Sequence, residues 1–276
     1  MSSETVVLMP AYNADHTIRE AVDSVLANTA PCDLVIIDDC SRAPVADILG
    51  AREHVEVVRL AHNQGLSAAL NVGLQYILKR DYKYIARMDA DDFSYPDRLA
   101  KQITFLEAHP EIGLVGTAAR FVNEETGAIR YQPQPLDHEA VRQRLFFNNA
   151  FVHSTWMLRA DIPRKYGFYS SEYPFAEDYE FLRRICPHVR LANLRDYLLD
   201  YRIVTTGISV SKRRRQLFDR LRIQLDYFEW REWRAWAGAA ETLILFGVPW
   251  KWLELVKLEW FGATPPSTSE TPTKNP

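Results

Sequence analysis

A chain of 276 residues, 47% of them apolar, is long enough to bury a large core and too apolar to be a disordered polymer. Its 33 Lys and Arg against 36 Asp and Glu leave a net charge of −3 and a pI near 6.2, so bulk electrostatics exclude nucleic acid as the expected partner. Cys32, Cys40 and Cys186 stand far apart with no CxxC pair, which fits neither a disulfide framework nor a zinc knuckle and suits a reducing compartment.

The N-terminus, MSSETVVLMPAYN, lacks the basic stretch of a signal peptide, and no uninterrupted apolar run reaches bilayer length; the expected location is the cytoplasm. TVVLMP reads as a strand, and ADHTIREAVDSVLAN puts Ile18, Val22, Val25 and Leu26 on one helical face. The same alternation recurs as DLVIID with a helix to Gly50, as VEVVRL with GLSAALNVGLQYILK, and as YKYIARMD with PDRLAKQITFLEAH, whose helix Pro96 opens. Four such units predict an α/β fold, a Rossmann-like, mainly parallel sheet with helices on both faces. The polar clusters PAYN, DDCS, HNQG and DADD all fall at the carboxyl ends of strands, where sheets of this kind bind ligands.

After Gly113, the segments GLVGTAARFV, GAIRYQP and FVHSTWMLR read as strands, FAEDYEFLRRI as a helix and LRDYLLDYRIV as a further strand. From Ser211 the chain reads as a helical extension, basic over Lys212 to Arg215 and carrying Trp230, Trp233, Trp236, Trp250, Trp252 and Trp260. The expected organisation is one domain over 1–208, with a ligand-binding half (1–112) and an acceptor half (113–208), then the extension over 209–262 and a disordered tail over 263–276.

Two acidic clusters carry the chemistry. Asp89, Ala90 and Asp91 form a DxD with Asp92 next to it; on a strand, alternate side chains share a face, so Asp89 and Asp91 can point together at one Mg²⁺ or Mn²⁺. The alternative is a solvated turn in which one acid caps the next helix. An EF-hand loop is excluded, because Ser94 stands where the Gly is required and Ala100 where the closing Glu is. Glu177 and Asp178 open a helix, where negative charge is stabilised, and alone would be an ordinary first-turn pair.

Taken in order, VVLMPAYNADHTIREAVDSVL, VIIDDCS, HNQGLSAALNVGL, RMDADDFSYPDRLAKQI, FVHSTWMLR and FAEDYEFLRRI resemble the inverting GT-A glycosyltransferases of family 2, over roughly residues 4 to 204. The resemblance implies transfer of one sugar from a nucleotide-diphospho-sugar, with UDP favoured, to a hydroxyl of a glycan or lipid-linked acceptor in cell-surface polysaccharide or glycolipid biosynthesis. It implies that Pro10, Ala11 and Tyr12 wrap the base and ribose, that Asp39 bonds a uracil N–H, and that Asn63 and Gly65 line the same pocket. Arg87 would meet the nucleotide or an acidic neighbour, Asp89 and Ala90 would touch the donor, and Asp91 with Asp89 would hold Mn²⁺ or Mg²⁺. Asp178 would be the base, Glu177 its acceptor-binding neighbour, and His153 would stand beside the acceptor or diphosphate.

One departure concerns YRIV, where relatives often have Tyr-Arg-x-His and this chain has Val204. The QxxRW signature and the membrane helices of processive synthases are missing, which favours a single transfer per event. The Trp-rich extension suits peripheral contact with an anionic membrane, or packing on the catalytic domain or a second copy of the chain. A sugar nucleotidyltransferase would need a glycine-rich basic loop where this chain has PAYNADHT, and Asp91 and Asp178 argue against an inactive binding module.

Overall fold

Seven consecutive buried residues, Thr5–Ala11, form β1; burial on both faces is what a strand needs at the centre of a parallel sheet between helices. In this computed structural model, which describes residues 3–203 and 213–248, β2 (Asp33–Asp38) runs parallel on one side of β1 and β4 (Tyr84–Arg87) on the other, with β3 (Val55–Arg59) outside β2. The connections are α1 (Ile18–Leu26), α2 (Val45–Leu49) and α3 (Leu66–Ile77), and α4 (Arg98–Ala108) follows β4. The alternation read in the sequence is therefore present, although Pro96 lies two residues before α4 rather than inside its first turn.

Because strand side chains alternate, β1 feeds two cores. Val6 and Leu8 pack with Leu70, Leu74 and Ile77 of α3, while Val7 and Met9 pack with Ile18 and Val22 of α1 and Leu99 and Leu106 of α4. Gly73 lets α3 lie close, since a Cβ there would stand 2.2 Å from Leu8 Cδ1.

The second half continues the same sheet in mixed orientation. β8 (Met157–Arg159) is antiparallel to β4, β6 (Ile112–Asn123) antiparallel to β8, and β9 (Arg190–Ile203) parallel to β6; the two-residue β5 (Phe93–Ser94) closes the edge on β9, and β7 (Ile129–Gln132) pairs β6. The helices of this half are α5 (His138–Leu145), α6 (Asp161–Tyr166) and α7 (Glu177–Ile185). FVHSTWMLR is not one strand: His153–Thr155 make a single 3₁₀ turn, and only Met157–Arg159 pair in the sheet. The turn is stabilised by Thr155 Oγ1 and Thr155 N–H, which both donate to the Val152 carbonyl, at 2.7 and 2.9 Å.

In the extension, α8 (Arg213–Asp226) and α9 (Trp233–Gly247) lie on the second half. Gln224 Nε2 donates to the Phe146 carbonyl at 2.9 Å, Arg183 Nη2 to the Tyr227 carbonyl at 2.6 Å, and the Tyr227 hydroxyl to Glu180 Oε1 at 2.6 Å. The tryptophans do not share this packing: Trp230, Trp233 and Trp236 are 74%, 64% and 54% exposed. Val204, Lys212, Trp250, Trp252, Trp260 and the tail 263–276 lie outside the described residues. Among those described, no helix is long and apolar enough to cross a membrane.

Candidate active site

The two acids that end β2 and its loop are held differently. Asp38 is fully buried and accepts from Ser41 N–H at 2.8 Å, Val45 N–H at 3.2 Å and Arg59 Nη1 at 2.5 Å. Burial disfavours its charge, but these hydrogen bonds prevail and hold the carboxyl below its ordinary range. It braces the start of α2. Asp39 instead spans two loops: its N–H donates to the Ala11 carbonyl at 2.9 Å, and its two carboxylate oxygens accept from Gln64 N–H at 2.7 Å and Gly65 N–H at 2.8 Å. Gly65 caps α3 with φ +86°, a left-handed conformation that glycine adopts at no steric cost. Asn63 Nδ2 reaches the Asp39 carbonyl at 3.4 Å, so Ala11, Asp39, Asn63 and Gly65 do come together. Pro10 and Ala11 are buried in β1, whereas Tyr12 stands 55% exposed, its ring facing solvent at the strand's end.

The DxD lies past the end of β4, in a turn closed by Asp92 N–H donating to the Asp89 carbonyl at 3.3 Å. Strand alternation therefore does not bring Asp89 and Asp91 together. The chain reverses, and in doing so it adds Asp92: one carboxylate oxygen from each of the three acids lies within 4.8 Å of the others. Thr17 Oγ1, just before α1, donates to the Ala90 carbonyl at 2.9 Å and pins the turn.

Arg87 is buried directly beneath. Its Nη1 lies 2.6 Å from Asp89 Oδ2 and its Nη2 2.6 Å from Asp89 Oδ1, a bidentate pair, and Ser154 Oγ bridges them at 2.8 and 2.9 Å. Burial opposes the guanidinium charge, but Asp89 prevails and keeps it firmly protonated. Asp89 is thus the acidic neighbour of Arg87. Arg98, also buried, donates from Nη2 to the Arg87 carbonyl at 2.6 Å; burial pulls its pKa down to about 9.

Among the described residues, Asp91 and Asp92 have no such ion-pair partner. Desolvation by the surrounding wall, then the Asp89 charge, pushes Asp91 up to about 6 even though its side chain reaches solvent. Burial, then Asp89 and Asp91, pushes Asp92 well above its ordinary range; its Oδ1 accepts from Arg202 N–H at 3.1 Å, while its buried Oδ2 has no hydrogen-bond partner among the described residues. A buried carboxylate oxygen without a donor, beside two more carboxylates, fits a hard divalent cation such as Mn²⁺ or Mg²⁺.

The second acid pair lies at the start of α7. Burial and then Asp178 push Glu177 up to about 8, and burial pushes Asp178 upward as well. Asp178 Oδ1 accepts from Tyr179 N–H at 2.7 Å and Oδ2 from Asn149 Nδ2 at 2.5 Å. The charge of Arg87 lowers both acids and that of Asp89 raises Glu177, so the pair shares one electrostatic neighbourhood with the DxD turn. His153 packs among aromatic side chains near Arg87: its Nε2 is 2.9 Å from the Tyr169 hydroxyl and its ring 4.5 Å from that of Trp156. Burial, then Arg87, holds it well below its ordinary pKa and so neutral.

Ser154, Arg98, Thr17 and Asn149 escaped sequence reasoning. Ser154 adjoins His153 within a quoted block and could have been found there; Arg98 reads as a solvated helix residue, and neither Thr17 nor Asn149 carries a local signal.

The family model described as "Glycosyl transferase family 2" matches residues 6–167. The chain is 34% identical over 206 residues to the O-antigen biosynthesis glycosyltransferase WbnJ of Escherichia coli, covering 71% of this chain and 78% of that one. It is 31% identical over 230 residues to the amylovoran biosynthesis glycosyltransferase AmsE of Erwinia amylovora, covering 79% and 83%. It is 29% identical over 211 residues to a glycosyltransferase of Haemophilus influenzae, covering 71% of this chain but only 64% of that longer one. Among solved structures, S. aureus TarS 1–349 in complex with UDP-GlcNAc superposes with a TM-score of 0.68 at 19% identity, covering 88% of this chain and 72% of that one. The mannosyltransferase PcManGT from Pyrobaculum calidifontis, in complex with GDP-Man and Mn²⁺, gives 0.64 at 15% identity, covering 94% and 80%. At these identities the structural likeness speaks for the fold. Since the family model spans more than half of the sequence and the sheet matches that of known transferases, this chain belongs to glycosyl transferase family 2 and is a glycosyltransferase of GT-A fold.

Proposed function

We propose that the chain moves one sugar from a nucleotide-diphospho-sugar to a hydroxyl of a glycan or lipid-linked acceptor, with inversion at the anomeric carbon, in making a cell-surface polysaccharide or glycolipid. The observation that carries this reading is that two acidic groups from distant parts of the chain meet in one field: the Glu177–Asp178 pair, a base candidate, feels the charges of the turn whose three carboxylates fit a divalent cation. The names of WbnJ and AmsE support the polysaccharide class of acceptor.

In the step, the acceptor hydroxyl gives its proton to an Asp178 oxygen while its own oxygen attacks C1. The bond from C1 to the diphosphate oxygen breaks, and the nucleoside diphosphate leaves with the electron pair. One displacement inverts C1 and needs no covalent enzyme intermediate. A positioned base contributes about 10²–10⁴ in rate, and the raised pKa of Asp178 brings its basicity nearer to working pH. Asp91, Asp92 and Asp89 would hold Mn²⁺ or Mg²⁺, which supplies Lewis acidity to the leaving diphosphate when bound.

Tyr12 offers an exposed ring face for the base, and Pro10, Ala11, Asp39, Asn63 and Gly65 would bind the nucleotide at that end, a reading supported by the meeting of Ala11, Asp39, Asn63 and Gly65. UDP is the first donor to test, in keeping with the TarS complex, with GDP the comparator from PcManGT. The enzyme would work at the inner face of the cytoplasmic membrane. Supporting this, Trp233, Trp236, Ala240, Leu243, Ile244 and Gly247 recur at helical spacing along the exposed face of α9, with Arg231 just before the helix and Arg234 between the two tryptophans.

A thermal-shift screen of UDP-, GDP- and dTDP-sugars, with and without Mn²⁺, tests the donor site. The expected result is a UDP-sugar response that needs Mn²⁺ and weakens in Asp91→Ala. Equal responses of wild type and variant would overturn it, and binding without any release of nucleoside diphosphate in the presence of acceptor would make the chain a binding module.

A further inference from the structure

We propose that Asn149 is a positioning residue that fixes the orientation of the Asp178 carboxylate and favours its charged form; the inference rests on the reading of Asp178 as the base. The geometry is set from both ends of the Asn149 amide. Its Oδ1 accepts from Phe151 N–H at 2.9 Å, and an oxygen committed to a donor leaves the nitrogen to face Asp178, 2.5 Å from Oδ2. The backbone is held too, since Asn149 N–H donates to Asn148 Oδ1 at 2.8 Å. On the other side, Asp178 Oδ1 takes the Tyr179 N–H at 2.7 Å. With one donor on each oxygen the carboxylate plane cannot rotate, and the lone pairs left over point in a fixed direction.

The same loop leads directly into the 3₁₀ turn of His153 and Ser154, and Ser154 touches Asp89. One short segment thus contacts the base on one side and the DxD turn on the other. The charged and titratable groups around Asp178 and its neighbour Glu177 are Arg87, Tyr169 and Asp89. Glu177 opposes ionisation of Asp178 and Arg87 favours it; the Asn149 amide adds a neutral donor to the favourable side. Removing that donor makes the carboxylate harder to ionise, so the acid limb of turnover moves to higher pH.

Asn149→Asp separates this role from a merely structural one. The variant keeps the shape and the acceptor for Phe151 N–H, so the loop is retained, but it replaces the donor to Asp178 by a second carboxyl oxygen. Asn149→Ala removes both contacts and serves as the comparison. The Asp178 titration is followed by NMR of protein labelled with ¹³C at the aspartate carboxyls, its resonance assigned by its loss in Asp178→Asn. Beside it, pH profiles of nucleoside diphosphate release are measured with the nucleotide sugar that gives the largest thermal shift. In both Asn149 variants the titration midpoint should rise by about one pH unit or more. The value of kcat near neutral pH should fall about tenfold to hundredfold while the donor KM stays as in wild type. An unchanged midpoint overturns the inference, and so does a moved midpoint with an unchanged pH profile. If Asp178→Asn itself still turns over, the reading of Asp178 as the base is what has failed.

Discussion

Arg87 grips Asp89 with both Nη atoms, each 2.6 Å from a different carboxylate oxygen, so the first acid of the DxD is neutralised from within the protein. This divides the three acids: Asp89 is balanced by a buried cation, while among the described residues Asp91 and Asp92 have no such ion pair, in keeping with the proposal that they hold a divalent cation. Replacing Arg87 by Met would strand Asp89 beside two like charges. We expect a loss of about 3 kcal/mol in urea unfolding and of most of the Mn²⁺-dependent donor response. Arg87→Lys restores the charge but not the two-pronged geometry, and should recover stability better than donor binding.

Glu177 links stability to pH. Its carboxyl titrates at about 8 when folded, against 4.5 for an ordinary glutamate, so between those values the folded state keeps a proton that the unfolded chain has lost. Its contribution is fully present below pH 4.5 and drains away as pH rises through about 8. Glu177→Gln, which is neutral throughout, should therefore melt higher than wild type at pH 8.5 and lose that advantage toward pH 4.5. Melting curves that keep a constant offset across the range would refute the assignment.

Gly238 is the contact by which α9 seats on the second half. A Cβ there would fall 2.0 Å from the Phe146 carbonyl oxygen, a backbone atom that also receives Gln224 Nε2. Gly238→Ala should cost about 2 kcal/mol and speed amide exchange along α9. Gly247→Ala, with nothing within 4 Å of the added methyl, should be neutral or slightly stabilising, because alanine favours helix.

The outward face of α9 has a different test. Trp236 lies 5.5 Å from Trp230 and 4.9 Å from Phe228, ring to ring, all at the surface end of the helix pair. Trp233→Ser combined with Trp236→Ser should leave the melting temperature unchanged and reduce co-flotation with phosphatidylglycerol vesicles. Undiminished flotation would remove these tryptophans from the membrane contact, and a wild type that does not float would remove the membrane from the picture; a dimer in solution that the double variant breaks would put a second copy of the chain on this face.

Much of the architecture is written in local physics. Short apolar, β-branched runs and a helical period of 3.6 residues mark the β-α alternation up to α4, and the polar clusters PAYN, DDCS, HNQG and DADD follow strand ends because a strand stops where its apolar run stops. Glu177 and Asp178 announce a helix start for an equally local reason.

The division of labour among neighbouring acids was beyond that reach. Asp38 and Asp39 are adjacent and chemically identical, yet one braces α2 and the other ties β1 to the start of α3. Whether Arg87 serves ligand or acid, whether Asp92 joins its neighbours, and which amide holds Asp178 depended on Ser154, Arg202 and Asn149, which stand 65, 110 and 29 residues away from the acids they touch. Periodicity and capping report on residues within a turn or two, whereas the charge state of a carboxyl is set by whatever donors and cations the packed sheet brings to it. The sequence alone determined where the acids would gather; only the folded sheet decided which of them stay charged and what they hold.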